Sequence, residues 1–149
     1  MLRKYRFGFD ISGLVIFLII MIPNFIWFAV PAPNDILRAE SVTPVWDMIG
    51  SVCQVIFVGL LCVLINKERK GLTLSPLTVS SAACIALYFT GWILYYCGIT
   101  SPIVVFLLTV PPCGTFMLFA LDRRNMPAVI PIICFTVCHT VYGIVNFIV

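Results

Sequence analysis

Apolar residues run through this chain in five long stretches, residues 9–30, 44–65, 76–97, 102–121 and 127–149, parted by short polar joints. A helix rising ~1.5 Å per residue needs about 20 mostly apolar residues to cross a ~30 Å hydrocarbon core. The pattern predicts an all-α integral membrane protein, one polytopic domain over 1–149 built as a single bundle of five transmembrane helices. The longest joint, 31–43, is too short to hold an extramembrane catalytic module. No internal repeat is visible, and an odd number of spans does not divide into two equal inverted halves.

Proline and small polar residues punctuate the stretches. Thr43-Pro44, Ser75-Pro76 and Ser101-Pro102 each put a capping side chain before a proline at the first helical position. Pro23, Pro111-Pro112 and Pro131 fall inside the first, fourth and fifth spans. Each removes a backbone donor and frees a carbonyl, so helices 1, 4 and 5 are expected to be broken there, most of all at the double proline.

Composition agrees with the pattern. With 62% hydrophobic and 10% charged residues and a mean hydropathy of +1.13, too little polar surface remains to cover a soluble globule. Charge then sets an expected orientation. Arg3, Lys4 and Arg6, then Lys67, Arg69 and Lys70, then Arg123 and Arg124 fall on one face, and only Arg38 on the other. Short loops rich in Lys and Arg stay cytoplasmic, which puts the N-terminus inside and residues 31–43, 98–101 and the C-terminus outside a plasma or inner membrane. The net charge of +3 is accounted for by topology and anionic headgroups, so the bilayer is the expected partner and nucleic acid is not. A cleaved signal peptide is the rival reading of the first span, but its apolar run is long for an h-region, and Pro23-Asn24 with Trp27 suit a retained helix.

Polar residues within the spans collect in the outer half. Asp47 lies ~4–5 Å below the start of the second span, Ser51 ~10 Å and Gln54 ~15 Å, near the midplane. Counted inward from Val149, residues Asn146, Tyr142 and His139 come level with those three. Each set shares one face of its helix. Polar groups in a membrane turn away from lipid, so the two stripes are expected to face each other and line an outward-opening cavity with Gln54 and His139 at its floor. Tyr88 and Trp92 of the third span, with Tyr95 beyond them, and Asn24 of the first span would supply further wall. The candidate ligand- or solute-binding residues are thus Asn24, Asp47, Ser51, Gln54, Tyr88, Trp92, His139, Tyr142 and Asn146. A competing reading places Trp27, Trp46, Trp92, Tyr95 and Tyr96 in an interfacial aromatic belt. Thr78, Ala82, Ala86 and Thr90 form a seam of small residues expected to pack on another helix, within the chain or in a homo-oligomer or membrane partner.

His139 is the only histidine. A neutral imidazole offers one donor and one acceptor, suited to orienting a ligand or relaying a proton, or equally to an interhelical hydrogen bond that locks the bundle. Asp47 sits in the first turns of its helix, where the dipole favours its charge, and Asp10 and Asp122 border the inner surface beside basic residues. Six of the seven cysteines lie within spans and read as small apolar side chains, with Cys134 and Cys138 opposite the polar stripe; no metal, cofactor or disulfide framework is expected.

There is no His-Glu-x-x-His, no pair of midplane aspartates and no serine beside a base on a known motif, so an enzyme is not expected. The residues favour a small multi-pass protein that binds or transports a small solute or hydrophobic ligand. The alternative is a non-catalytic partner, regulatory or immunity subunit of a membrane complex. In size and span count the chain is similar to the tryptophan-rich sensory or translocator proteins, and that resemblance implies five helices packed round a pocket for hydrophobic ligands. It carries over no site residue, because their tryptophan-rich loops match no run of a chain with three Trp.

Overall fold

The computed structural model describes residues 4–68 and 74–149. Five helices make up the protein: α1 (Ile11–Ala29), α2 (Pro44–Val63), α3 (Pro76–Tyr96), α4 (Pro102–Asp122) and α5 (Met126–Phe147). Each is long and apolar enough to cross a membrane. Pro44, Pro76 and Pro102 open their helices as expected, where a missing N–H costs nothing. Of the three expected side-chain caps only Ser75 forms, its hydroxyl accepting from the Thr78 N–H at 3.1 Å. The Thr43 hydroxyl instead donates to Asp47 at 3.1 Å, and Ser101 serves α4 through its carbonyl.

The expected breaks at proline are absent from the helical backbone: α1, α4 and α5 each continue through their prolines. Side chains beside two of these sites bond back to the carbonyl one turn earlier, Asn24 to Ile20, Thr109 to Val105 and Thr115 to Pro111. The buried packing around Pro111 and Pro112 lets the bundle hold a helix that has lost a ladder bond.

Two short strands also depart from the all-helical expectation. β1 (Tyr5–Phe7) pairs antiparallel with β2 (Leu64–Asn66), Arg6 opposite Ile65. The chain entering α1 runs against the chain leaving α2, and the backbone groups there find partners in each other. The ladder continues as Gly8 N–H to the Val63 carbonyl and Asp10 N–H to the Cys62 carbonyl.

α4 is the most enclosed helix, packed between α3 and α5; α2 lies along α5, and α1 is held more lightly, chiefly by α2. Phe57, Phe116 and Phe135 meet at the centre, with ring centroids 4.9 and 5.3 Å apart about Phe57. The outer surface is apolar, with residues such as Val55, Ile103 and Ile130 exposed, as a lipid-facing surface requires. Three of the four seam residues on α3, Ala82, Ala86 and Thr90, are exposed and Thr78 is half-buried, and α3 turns Ser81, Tyr88, Gly91, Trp92 and Tyr95 inward instead.

The two ends of the bundle differ in charge. At the basic end, the buried Arg123 guanidinium lies 3.6 Å from Asp10 and donates to Ser12 at 2.7 Å, and Asn125 donates to the Leu60 and Leu64 carbonyls. Arg3, Arg69 and Lys70 of the basic set lie outside the described residues. The far end carries the 31–43 loop, with a single turn of 3-10 helix at Ile36–Arg38, and the 98–101 turn.

A candidate ligand cavity in the far half of the bundle

The half of the bundle next to the 31–43 loop encloses a cavity of about 460 Å³. Its floor is Ile20, Phe116 and Phe135, which are core residues near mid-span, and Trp46, Phe28, Leu37 and Phe147 stand round its upper rim. Eight of the nine candidate residues line it. Asn24 comes from α1, Asp47, Ser51 and Gln54 from α2, Tyr88 and Trp92 from α3, and His139 and Tyr142 from α5. The ninth, Asn146, does not. Its amide accepts from the Val42 N–H at 2.7 Å and donates to the Thr43 hydroxyl at 2.8 Å and the Tyr142 carbonyl at 2.9 Å, so it pins the end of the loop to α5. Thr43 in turn donates to Asp47, which joins the outermost members of the two stripes through a loop residue.

The polar groups on the wall differ in how much of their bonding capacity is spent. Asn24 donates to the Tyr88 hydroxyl at 2.7 Å and to Ile20, and Ser51 donates to the Asp47 carbonyl at 2.8 Å. Among the described residues the side chains of Gln54, His139 and Tyr142 make no hydrogen bond. The His139 ring stacks between Phe135 and Tyr142, at 5.0 and 6.2 Å. The Trp92 N–H is buried without a hydrogen-bond partner. Unspent donors and acceptors in an apolar site call for a ligand or ordered water.

Several wall residues were not among the candidates read from the sequence. Thr109 and Pro112 of α4 close one side, Thr109 meeting α5 where a Cβ on Gly143 would come within 2.8 Å of its hydroxyl. Cys138 also lines the cavity, against the expectation that it faces away from the polar stripe. It neighbours His139 in sequence, and the cavity spans enough of the α5 surface to take both. Among the described residues no group of three or more His, Cys, Asp or Glu is placed to hold a metal ion. The belt reading fails for Trp92 and Tyr95, which are buried inside the bundle.

Above the cavity, Asp35 organises a roof. Its carboxylate accepts from Trp27 Nε1 at 2.9 Å, from the Tyr95 hydroxyl at 2.8 Å, from Arg38 Nε at 2.8 Å and from the Ala32 N–H. Burial pushes the Asp35 carboxyl up, but the bonds from Trp27, Tyr95, Arg38 and Ala32 outweigh burial and hold it below its ordinary value. Arg38 also reaches the Trp27 carbonyl and lies 5.0 Å above the Trp27 ring. The Leu37 N–H donates to the Tyr95 hydroxyl, which seats the Leu37 side chain over the cavity.

No family model matches the chain, and no curated protein or solved structure is significantly similar to it. The likeness to the tryptophan-rich sensory or translocator proteins stays one of size and span count.

Proposed function

We propose that this chain is a non-catalytic multi-pass membrane protein that binds or passes a small hydrophobic or amphipathic ligand in the far-half cavity. The observation that supports it most is convergence: eight polar or aromatic side chains from four helices line one cavity of ligand size, several with hydrogen-bonding groups left unspent. A bundle that needed these groups only for packing would pair them with each other. The basic end is read as cytoplasmic, so the cavity faces outward from a plasma or inner membrane.

Two experiments test this. With the exposed Cys97 replaced by serine, an impermeant thiol reagent added to intact cells should label Ile36→Cys and leave Lys67→Cys unlabelled. Labelling of Lys67→Cys from outside would reverse the orientation. For the site, the neutral dye N-phenyl-1-naphthylamine should bind the purified protein saturably, read by energy transfer from tryptophan. At least one of Gln54→Ala and His139→Ala should weaken it by about three- to tenfold, the worth of the one hydrogen bond the dye's N–H can donate where little water can replace it. Cys134→Ala, off the cavity wall, should bind as wild type. Unchanged affinity in both variants would assign Gln54 and His139 to packing. The second reading, a subunit of a membrane complex, draws its support from the mostly exposed small-residue seam on α3, and it would then become the better one.

A further inference from the structure

The cavity is sided in its electrostatics as well as its polarity. Of the charged side chains among the described residues, Asp47 alone lines it, and no Lys or Arg does. Asp47 shares the cavity wall with His139 and Tyr142. The approach has the same sign. The 31–47 segment carries three carboxylates, Asp35, Glu40 and Asp47, against the one guanidinium of Arg38, a net of −2, and the 97–101 turn carries no charge. Arg38 is already held by Asp35 at 2.8 Å. Helix ends add to this: α1, α3 and α5 bring C-termini to the far end, and only α2 and α4 bring N-termini there.

Aromatic side chains make up much of the rest of the wall. All three tryptophans of the chain, Trp27, Trp46 and Trp92, line the cavity, together with Tyr88, Tyr142 and Phe147. A ring face carries the negative lobe of its quadrupole, so aromatic walls attract a cation and accept its apolar substituents at the same time. An anion would meet a carboxylate, aromatic rings and no Lys or Arg.

From the single carboxylate, the aromatic walls and the negative approach, we infer that the ligand is a monovalent organic cation with an apolar or aromatic body. The negative approach concentrates it at the far end, the rings take its body, and Asp47 near the rim meets its charge. This inference rests on the cavity being a ligand site.

A matched charge series separates the two. Tetraphenylphosphonium, tetraphenylborate and neutral triphenylphosphine oxide present similar phenyl surfaces with charges of +1, −1 and zero. The protein in neutral-lipid nanodiscs would be titrated with each, following quenching of the three cavity tryptophans, with protein-free nanodiscs correcting for partition. Tetraphenylphosphonium is expected to bind about tenfold or more tightly than the neutral compound, and tetraphenylborate more weakly than either. Asp47→Asn, which keeps an acceptor for the Thr43 hydroxyl, should lose about tenfold toward the cation and nothing toward the neutral compound. Asp47→Glu should restore the preference. Equal binding of all three, a preference for the neutral or anionic member, or an Asp47→Asn protein that keeps its cation preference would overturn the cationic assignment and leave the cavity a ligand site. Binding by none of the three would overturn the ligand-site reading with it.

Discussion

Alanine at Gly13 is expected to destabilise the protein by about 2–4 kcal/mol, the upper range for forcing volume into a packed contact. A Cβ at this position would lie 2.5 Å from the Leu61 carbonyl oxygen and 2.9 Å from its carbon. Both are backbone atoms of α2, so no side chain can rotate out of the way. Relief requires the start of α1 to move, and that start is fastened on all sides: Asp10 N–H bonds the Cys62 carbonyl at 2.7 Å, and Asp10 and Ser12 hold Arg123 of the α4–α5 turn. Since α1 is otherwise lightly held, its displacement should also draw Asn24 and Ile20 away from the cavity wall. Gly59, with open space where its Cβ would go, is the matched control. Gly59→Ala should be neutral or stabilising by up to about 1 kcal/mol, from helix propensity alone. Equilibrium unfolding in mixed micelles reads both variants, and equal stability would mean that α1 does not approach α2 this closely.

What the sequence makes legible here follows the physics that dominates each feature. The five helices are readable because a run of about 20 apolar residues has few other homes, and Pro44, Pro76 and Pro102 mark three starts by a missing donor. The facing of the second and fifth spans was also legible, because depth and helical period put Ser51 and Gln54 on one stripe and His139 and Tyr142 on another, and all four line one cavity. Asn146 shares that period, yet its position is decided by Val42 and Thr43, loop residues whose path no periodicity describes. Tyr95 and Trp92 could not be told from a belt, since a belt and a buried wall use the same residue types at the same depth. The partner that decides Tyr95 is Asp35, sixty positions away. Three-residue strands such as Tyr5–Phe7 leave no pattern to read, and the continuity of α4 through Pro111 and Pro112 depends on neighbours that only packing supplies.

The roof supplies the second large effect. Asp35→Ala should cost about 3 kcal/mol, because it leaves the Trp27 N–H and the Tyr95 hydroxyl without their acceptor in a largely buried setting. The Arg38 contribution is small by comparison, since that guanidinium is 44% exposed. Acid should reproduce part of the loss. Folding lowers the Asp35 pKa, so over the titration range the unfolded chain binds more protons than the native one, and stability rises with pH. The Asp35 contribution is therefore complete above the unfolded carboxylate value of roughly 4 and disappears as pH falls through the lower native value. Melting temperatures of wild type and Asp35→Asn, taken in steps from about pH 6 to pH 2, should converge toward the acid end, the wild type falling more steeply. Parallel curves would show that the carboxylate charge does not hold the roof. Tyr95→Phe removes one donor and keeps the carboxylate, so it should lower stability at neutral pH yet retain most of the acid slope. Acrylamide quenching of tryptophan should rise in Asp35→Ala as the Trp27 N–H loses its anchor, which ties the stability of the 31–43 loop to the accessibility of the cavity beneath it.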